Sequence, residues 1–177
     1  MTFQRILVAL DDSKLSHIVF QNALDLAQTN QATLMLFQCL TAEIVGEPMV
    51  PIPLEVGLYP ELAERAYQAQ NARVQQYTQQ VIQKFNQYCQ IAGDRAIAAE
   101  FDYKMGDPGQ WICKTAENWQ ADLVVVGRRG RSGLAEVLLG SVSNHVVHHA
   151  PCAVLVIQTG HSGSPVPTET KEEVQAI

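Results

Sequence analysis

Leu123-Val124-Val125-Val126 is a continuous apolar run that breaks off at Gly127. It is too short for a helix, rich in β-branched residues, and shows no alternation of apolar with polar. A strand of that kind is buried on both faces, which is the environment of a parallel sheet covered by helices. Phe3–Leu10 and Ala32–Leu40 give two more strands. Between them Asp11-Asp12-Ser13 ends the first strand and caps a helix. Ile18, Phe20, Ala23, Leu24 and Ala27 then recur at helical spacing to about Thr29. Strand, helix and strand at these lengths make a parallel βαβ unit with a right-handed crossover.

The same alternation continues. Glu61 to about Ile91 predicts one long helix, with Leu62, Ala66, Ala69, Tyr77, Val81, Phe85 and Tyr88 on one stripe. Ala96–Tyr103 predicts a third strand, closed by Met105-Gly106-Asp107-Pro108-Gly109. Trp111, Ile112, Thr115 and Ala116 carry the next helix, and Trp111 and Trp119 are expected to pack the fourth helix rather than stack a base. Gly140–His149 gives the last helix and Cys152–Ile157 the last strand. Strands alternating with helices throughout define an α/β class with an open parallel sheet. At 177 residues, one domain over residues 1–158 is the expectation. Two stretches stand apart. Residues 41–60 hold four prolines and two glycines among apolar residues. Proline excludes both a helix interior and a central strand. An inserted, at least partly ordered flap is expected there, over the strand ends or against a neighbouring subunit. Residues 159–177 have the Gly, Ser, Pro and charge content of a flexible tail.

In open α/β sheets ligands lie beyond the carboxyl ends of the strands, where the strand order reverses. Asp11, Cys39-Leu40, Met105-Gly106 and Gly127 all follow strand ends. After Gly127 come Gly130 and then Gly140-Ser141-Val142-Ser143 at a helix start. Strand, glycine loop and helix start bring backbone N–H groups onto an anion, and the helix dipole adds attraction for phosphate. Glycine serves such a loop where a Cβ would block close approach or forbid positive φ. On these residues alone a connector with turn glycines is the competing reading. The spacing is not the dinucleotide G-x-G-x-x-G, and no Gly-Lys-Ser/Thr marks a P-loop. Arg128, Arg129 and Arg131 place guanidinium groups in the loop. An Arg fork matches phosphate oxygens, yet neighbours in a loop point apart, so at most one is expected to reach a phosphate.

The spacing Gly127, Gly130, Gly140, Ser141 resembles the G-x2-G-x9-G-(S/T) nucleotide loop of the universal stress protein family. Ile6-Leu7-Val8-Ala9-Leu10-Asp11 and Pro151-Cys152-Ala153-Val154-Leu155-Val156 are similar to that family's opening and closing strands. The resemblance spans roughly residues 3 to 157, apart from the inserted stretch. It implies a Rossmann-like five-stranded sheet of order 3-2-1-4-5, with helices on both faces and the switch between strands one and four. It also implies ATP as ligand, with Mg2+. By the same carry-over Asp11 contacts the ribose near the phosphate and metal site and Cys39 lies against adenine. Ala9, Leu10 and Val126 line the wall. Phosphates meet Gly127, Arg128, Gly130, Gly140, Ser141, Val142 and Ser143.

Charge and composition narrow the classes further. A formal net charge of −6 argues against general affinity for nucleic acid or an anionic membrane. No apolar run approaches a membrane span, and the N-terminal residues do not read as a secretory signal. Cys39, Cys89, Cys113 and Cys152 form no C-x-x-C pair and read as reduced thiols of a cytoplasmic protein. His145, His148 and His149 stand at i, i+3, i+4. A metal site there would want another ligand, and favourable placement at a helix C-terminus is the preferred reading. Phosphoryl transfer requires a positioned nucleophile and metal ligands, and the sequence offers no such set. The expectation is therefore an ATP-binding sensor of the stress response with little or no catalysis. Two alternatives stay open: a dimeric interaction module of the same fold without nucleotide, and a slow ATP hydrolase. A homodimer through Cys152–Ile157 is expected, because that strand is fully apolar and falls at a sheet edge in the implied order.

Overall fold

In the computed structural model, which describes residues 2–41, 60–128 and 139–158, the chain forms one five-stranded sheet. The strands are β1 (Arg5–Leu10), β2 (Thr33–Leu40), β3 (Ala99–Met105), β4 (Leu123–Gly127) and β5 (Ala153–Ile157). Their order is β3-β2-β1-β4-β5 and every pairing is parallel. The helices are α1 (Leu15–Asn30), α2 (Pro60–Asp94), α3 (Pro108–Asn118) and α4 (Ser141–His149). No helix among the described residues is long and apolar enough to cross a membrane.

Alternation along the strands sorts the core into two layers. Ile6, Val8 and Leu10 of β1 and Leu34, Leu36 and Leu40 of β2 pack with Val19, Phe20, Ala23 and Leu24 of α1 and with Val81 and Phe85 of α2. Leu7, Ala9, Met35, Phe37, Cys39, Val124 and Val126 face the other way, against Ile112 and Ala116 of α3 and Val146 of α4. Both faces of the central strands are covered, which is why their sequences are solid apolar runs. Each fully buried Leu, Val or Phe contributes about 1.5–3 kcal/mol relative to exposure.

Three helices end in one way. Gln31, Ala96 and Gln120 take positive φ of 55°, 58° and 54°. In each case the next N–H then reaches the carbonyl five residues back: Ala32 to Ala27 at 2.9 Å, Ile97 to Ala92 at 2.9 Å and Ala121 to Ala116 at 2.8 Å. This is the Schellman closure, a position that favours glycine. It corrects two expected boundaries. α2 continues to Asp94, and β3 begins at Ala99 because Ala96 is the turn residue; the strand then takes in Met105. Side-chain placement differs in detail as well. On α1, Ile18 is exposed and Val19 takes the buried stripe; on α2, Ala69 is exposed while Gln70 and Val74 are half-buried. Apart from their ends Thr41 and Pro60, the inserted stretch 41–60 and the tail 159–177 lie outside the described residues.

The two edges of the sheet are unlike. Ala99, Phe101 and Tyr103 of β3 pack on the α1–α2 layer, so Glu100, Asp102 and Lys104 share the opposite face. There Lys104 Nζ pairs with Asp102 Oδ2 at 2.9 Å. β5 carries no charge, and its Val154 to Ile157 are half-buried. Charge on an edge strand blunts pairing with another chain. β3 has that protection and β5 lacks it.

Candidate functional site

β1 and β4 are adjacent, and the helices that follow them leave toward opposite faces: α1 joins α2, whereas α4 joins α3. A crevice therefore opens beyond the ends of these two strands, at the reversal of strand order.

Asp11 is the first residue beyond β1. Its Oδ1 accepts the Ser13 N–H at 2.9 Å and the hydroxyls of Ser13 and Ser16, each at 2.6 Å. Its own N–H donates to Ser16 Oγ at 2.8 Å. The carboxylate thus organises the turn into α1, and among the described residues its Oδ1 takes all three of these bonds. Ala9 and Leu10, which precede it, are buried in opposite core layers.

On the β4 side the backbone is braced at Arg128. Its N–H donates to Ile157 O at 2.7 Å, and its carbonyl accepts from Gly140 N at 2.9 Å. Ser143 Oγ donates to the same carbonyl at 2.8 Å and lies 3.0 Å from Gly140 O. The Arg128 guanidinium donates from Nη1 to Gln158 Oε1 at 3.1 Å. These bonds seat α4 directly at the end of β4. Asn144 N–H bonds Gly140 O at 2.9 Å, so the N–H groups of Ser141, Val142 and Ser143 form the first turn, where intrahelical partners do not exist. None of the three has a backbone partner outside the helix among the described residues. That turn is a ready anion-binding end.

Two details of this loop bear on the expected phosphate contacts. Ser143 is 2% exposed and its Oγ latches the loop backbone. Only its N–H belongs to the helix end. The glycines also serve differently. Gly140 has φ −64°, open to any residue. At Gly127 an added Cβ would stand 3.0 Å from Leu15 Cδ2 and 3.4 Å from Val19 Cγ2, so the requirement there is close packing of α1. Val126 is buried in the α3–α4 layer. Gly130, with Arg129 and Arg131, lies outside the described residues.

Cys39, at the end of β2, is 8% exposed and its Sγ lies 3.3 Å from Gly106 O. Burial, reinforced by the Asp107 charge, pushes its thiol up to about 11. The group is neutral and serves as apolar wall with one weak donor. Gly106 itself has φ 130°, and a Cβ there would meet Trp111 Nε1 at 3.1 Å. Asp107 caps α3 by accepting Gln110 N–H at 2.8 Å.

A polar cluster beside the crevice carried no motif. Gln38, 1% exposed, sits in the apolar α1–α2 layer. Its Nε2 donates to Tyr77 Oη at 2.7 Å and to Asp12 Oδ1 at 3.3 Å, and its Oε1 accepts from Lys84 Nζ at 2.6 Å. Lys84 also pairs with Asp12 Oδ1 at 3.1 Å, and Tyr77 Oη donates to Asp12 Oδ2. Burial pulls the Asp12 carboxyl upward, but the Tyr77 hydrogen bond and the Lys84 charge outweigh it and hold the group below its ordinary value. The glutamine inside Thr33–Leu40 was the one local sign of it.

The histidines pack rather than gather. His145 and His149 stack at 4.2 Å, and His149 Nδ1 lies 2.8 Å from His145 O. His148 and His149 occupy the last turn of α4. His145 also fills the space above Gly109, where an added Cβ would stand 2.8 Å from its Cγ and Cδ2. Trp119 packs under Arg5, whose Cζ is 4.2 Å from the ring, and bonds Glu100 Oε1. Trp111 Nε1 donates to Met105 O at 3.0 Å.

Comparison with known proteins bears on the same span. The family model described as the universal stress protein family matches residues 2–158. Universal stress protein Sll1388 of Synechocystis sp. is 39% identical over 161 residues, covering 89% of this chain and 99% of the relative. Universal stress protein UspA from Lactobacillus plantarum superposes with a TM-score of 0.66 at 24% identity, over 89% of this chain and 99% of that one. A universal stress protein from Archaeoglobus fulgidus, solved in complex with dAMP, superposes with a TM-score of 0.54 at 16% identity, over 89% and 100% of the two chains.

Proposed function

The chain belongs to the universal stress protein family, and from that premise we propose that it is an ATP-binding regulator of the stress response with little or no catalysis. The observation that carries this reading is the first turn of α4. Three N–H groups without intrahelical partners stand at the end of β4, held there by the bonds through Arg128, beside the strand-order switch. The dAMP bound by the Archaeoglobus relative supports an adenine nucleotide.

In this reading the base lies along the neutral Cys39 wall and the ribose near Asp11. The phosphates meet the N–H groups of Ser141, Val142 and Ser143, while Arg128 and Gly130 belong to the loop that surrounds them. Among the described residues no group of three His, Cys, Asp or Glu could hold a metal. Magnesium would arrive on the phosphates, as it commonly does. A regulator needs only occupancy that changes with nucleotide supply. The unprotected β5 edge supports a homodimer whose two copies pair there about a two-fold axis.

Melting in Mg-ATP tests the binding. A site of about 10 μM at a hundredfold ligand excess adds roughly 2.7 kcal/mol, or about 5–11 °C for a chain of this size. Ser141→Pro is the matched variant. Proline suits the first helical position, and Gly140 at φ −64° and ψ 158° has the extended backbone a residue before proline needs. The helix is therefore retained while one phosphate-facing N–H disappears. Loss of a hydrogen bond to a charged group, about 1.5–3 kcal/mol, should weaken Mg-ATP binding about ten- to a hundredfold. No thermal shift at millimolar Mg-ATP, together with no nucleotide released from purified protein in mass spectrometry, would remove the reading.

A further inference from the structure

Asp12 adjoins Asp11 in the turn after β1, yet its carboxylate faces α2, whose Lys84 and Tyr77 bond it together with Gln38 of β2. Gln38 pairs in register with Leu10 and directly precedes Cys39. The cluster therefore braces both strands that end at the β1–β2 side of the crevice, from a helix packed in the α1–α2 layer. It also sets charge. Two adjacent carboxylates at the mouth of a phosphate site would repel the ligand, and the Lys84 ammonium cancels one of them. The buried amide of Gln38 keeps that ammonium in place through its 2.6 Å bond. Sequence periodicity gives α2 only a packing role.

We propose that Lys84 and Tyr77 are positioning residues for the nucleotide site: Tyr77 fixes the turn that carries Asp11, and Lys84 neutralises Asp12 so that a polyphosphate can approach. The inference rests on the nucleotide reading above and deepens it. Its consequence is selective. Loss of the Lys84 charge should weaken a charged ligand and spare an uncharged one, whereas loss of general packing would weaken both. Arg95 supplies the packing control, because it ties the far end of α2 to α1 through a 2.8 Å ion pair with Asp25, remote from the cluster.

The test is calorimetric titration of the full chain with Mg-ATP and with adenosine, for wild type, Lys84→Met, Tyr77→Phe and Arg95→Gln. Lys84→Met should bind Mg-ATP about three- to tenfold more weakly, in the range of residues that act on a site through others, with adenosine within twofold of wild type. The deficit should shrink near 1 M salt, where the screening length falls to about 3 Å. Tyr77→Phe should weaken both ligands alike, and Arg95→Gln neither. If wild type binds both ligands and Lys84→Met matches it, the inference is overturned alone. An equal loss for adenosine and Mg-ATP in Lys84→Met, or an equal loss in Arg95→Gln, overturns it as well by reducing the cluster to packing. If wild type binds neither ligand, the nucleotide reading falls and takes the inference with it.

Discussion

Gly109→Ala tests what sets α4 in place. Gly109 is buried near the start of α3, and a Cβ there would stand 2.8 Å from Cγ and Cδ2 of His145 and 3.0 Å from its Cβ. Carbon atoms prefer about 3.5–4.0 Å, so the overlap approaches 1 Å. One of the three atoms is His145 Cβ, which moves only with the α4 backbone, so a ring rotation cannot relieve the contact. Overpacking of this kind costs about 1–3 kcal/mol. Alanine returns up to about 1 kcal/mol of helix propensity over glycine. The net expectation is a loss of about 1–2 kcal/mol, read as a fall of about 2–8 °C in melting temperature. Urea unfolding of Gly109→Ala, His145→Ala and the double variant closes the cycle. His145→Ala removes the 2.8 Å contacts of the ring but keeps the Cβ at 3.0 Å, so it should rescue Gly109→Ala only in part, a coupling of about 0.5–1.5 kcal/mol. Because the same contact spaces α4, whose first turn faces the crevice, Gly109→Ala should also weaken nucleotide binding. A single variant as stable as wild type, or one that His145→Ala does not rescue, would refute this account of the α3–α4 spacing.

Ala96→Gly should raise stability by about 1 kcal/mol, because Ala96 holds a left-handed φ of 58° that costs a residue with a Cβ about 1–2 kcal/mol; urea midpoints would show it, and an unchanged midpoint would mean that the unfolded-state entropy of glycine cancels the gain. The Asp12 carboxyl lies below its ordinary 3.8 in the folded chain, so its ionised form stabilises above that pH and the contribution is lost as pH falls through the folded value. Wild type should accordingly exceed Asp12→Asn at pH 6 and converge on it toward pH 2, in urea titrations across that range; a gap independent of pH would place the Asp12 contribution outside its charge. Val156→Lys in the unprotected β5 edge should give monomers in sedimentation with the circular dichroism of the wild type; a wild type already monomeric at micromolar concentration would end the edge-pairing idea.

The solid apolar runs at Ile6–Leu10, Leu34–Phe37 and Leu123–Val126 determined by themselves that the sheet is parallel and covered on both sides, since only two-sided burial removes the need for polar alternation. The glycines and serines around Gly140 likewise located a helix start at a strand end. Strand order was legible only through family resemblance, because local sequence does not say which strand a crossover will lie beside. Only the tertiary structure placed Ala96 and Gln120 in left-handed turns, where helix packing overrides a local penalty that would have suggested glycine. It alone brought Asp12 to Tyr77, 65 residues away in the chain, and Gly109 under His145. It also turned the Ser143 hydroxyl inward to latch Arg128. Such contacts depend on the angle and spacing at which whole elements dock, and neither quantity is written in the period or composition of any one segment.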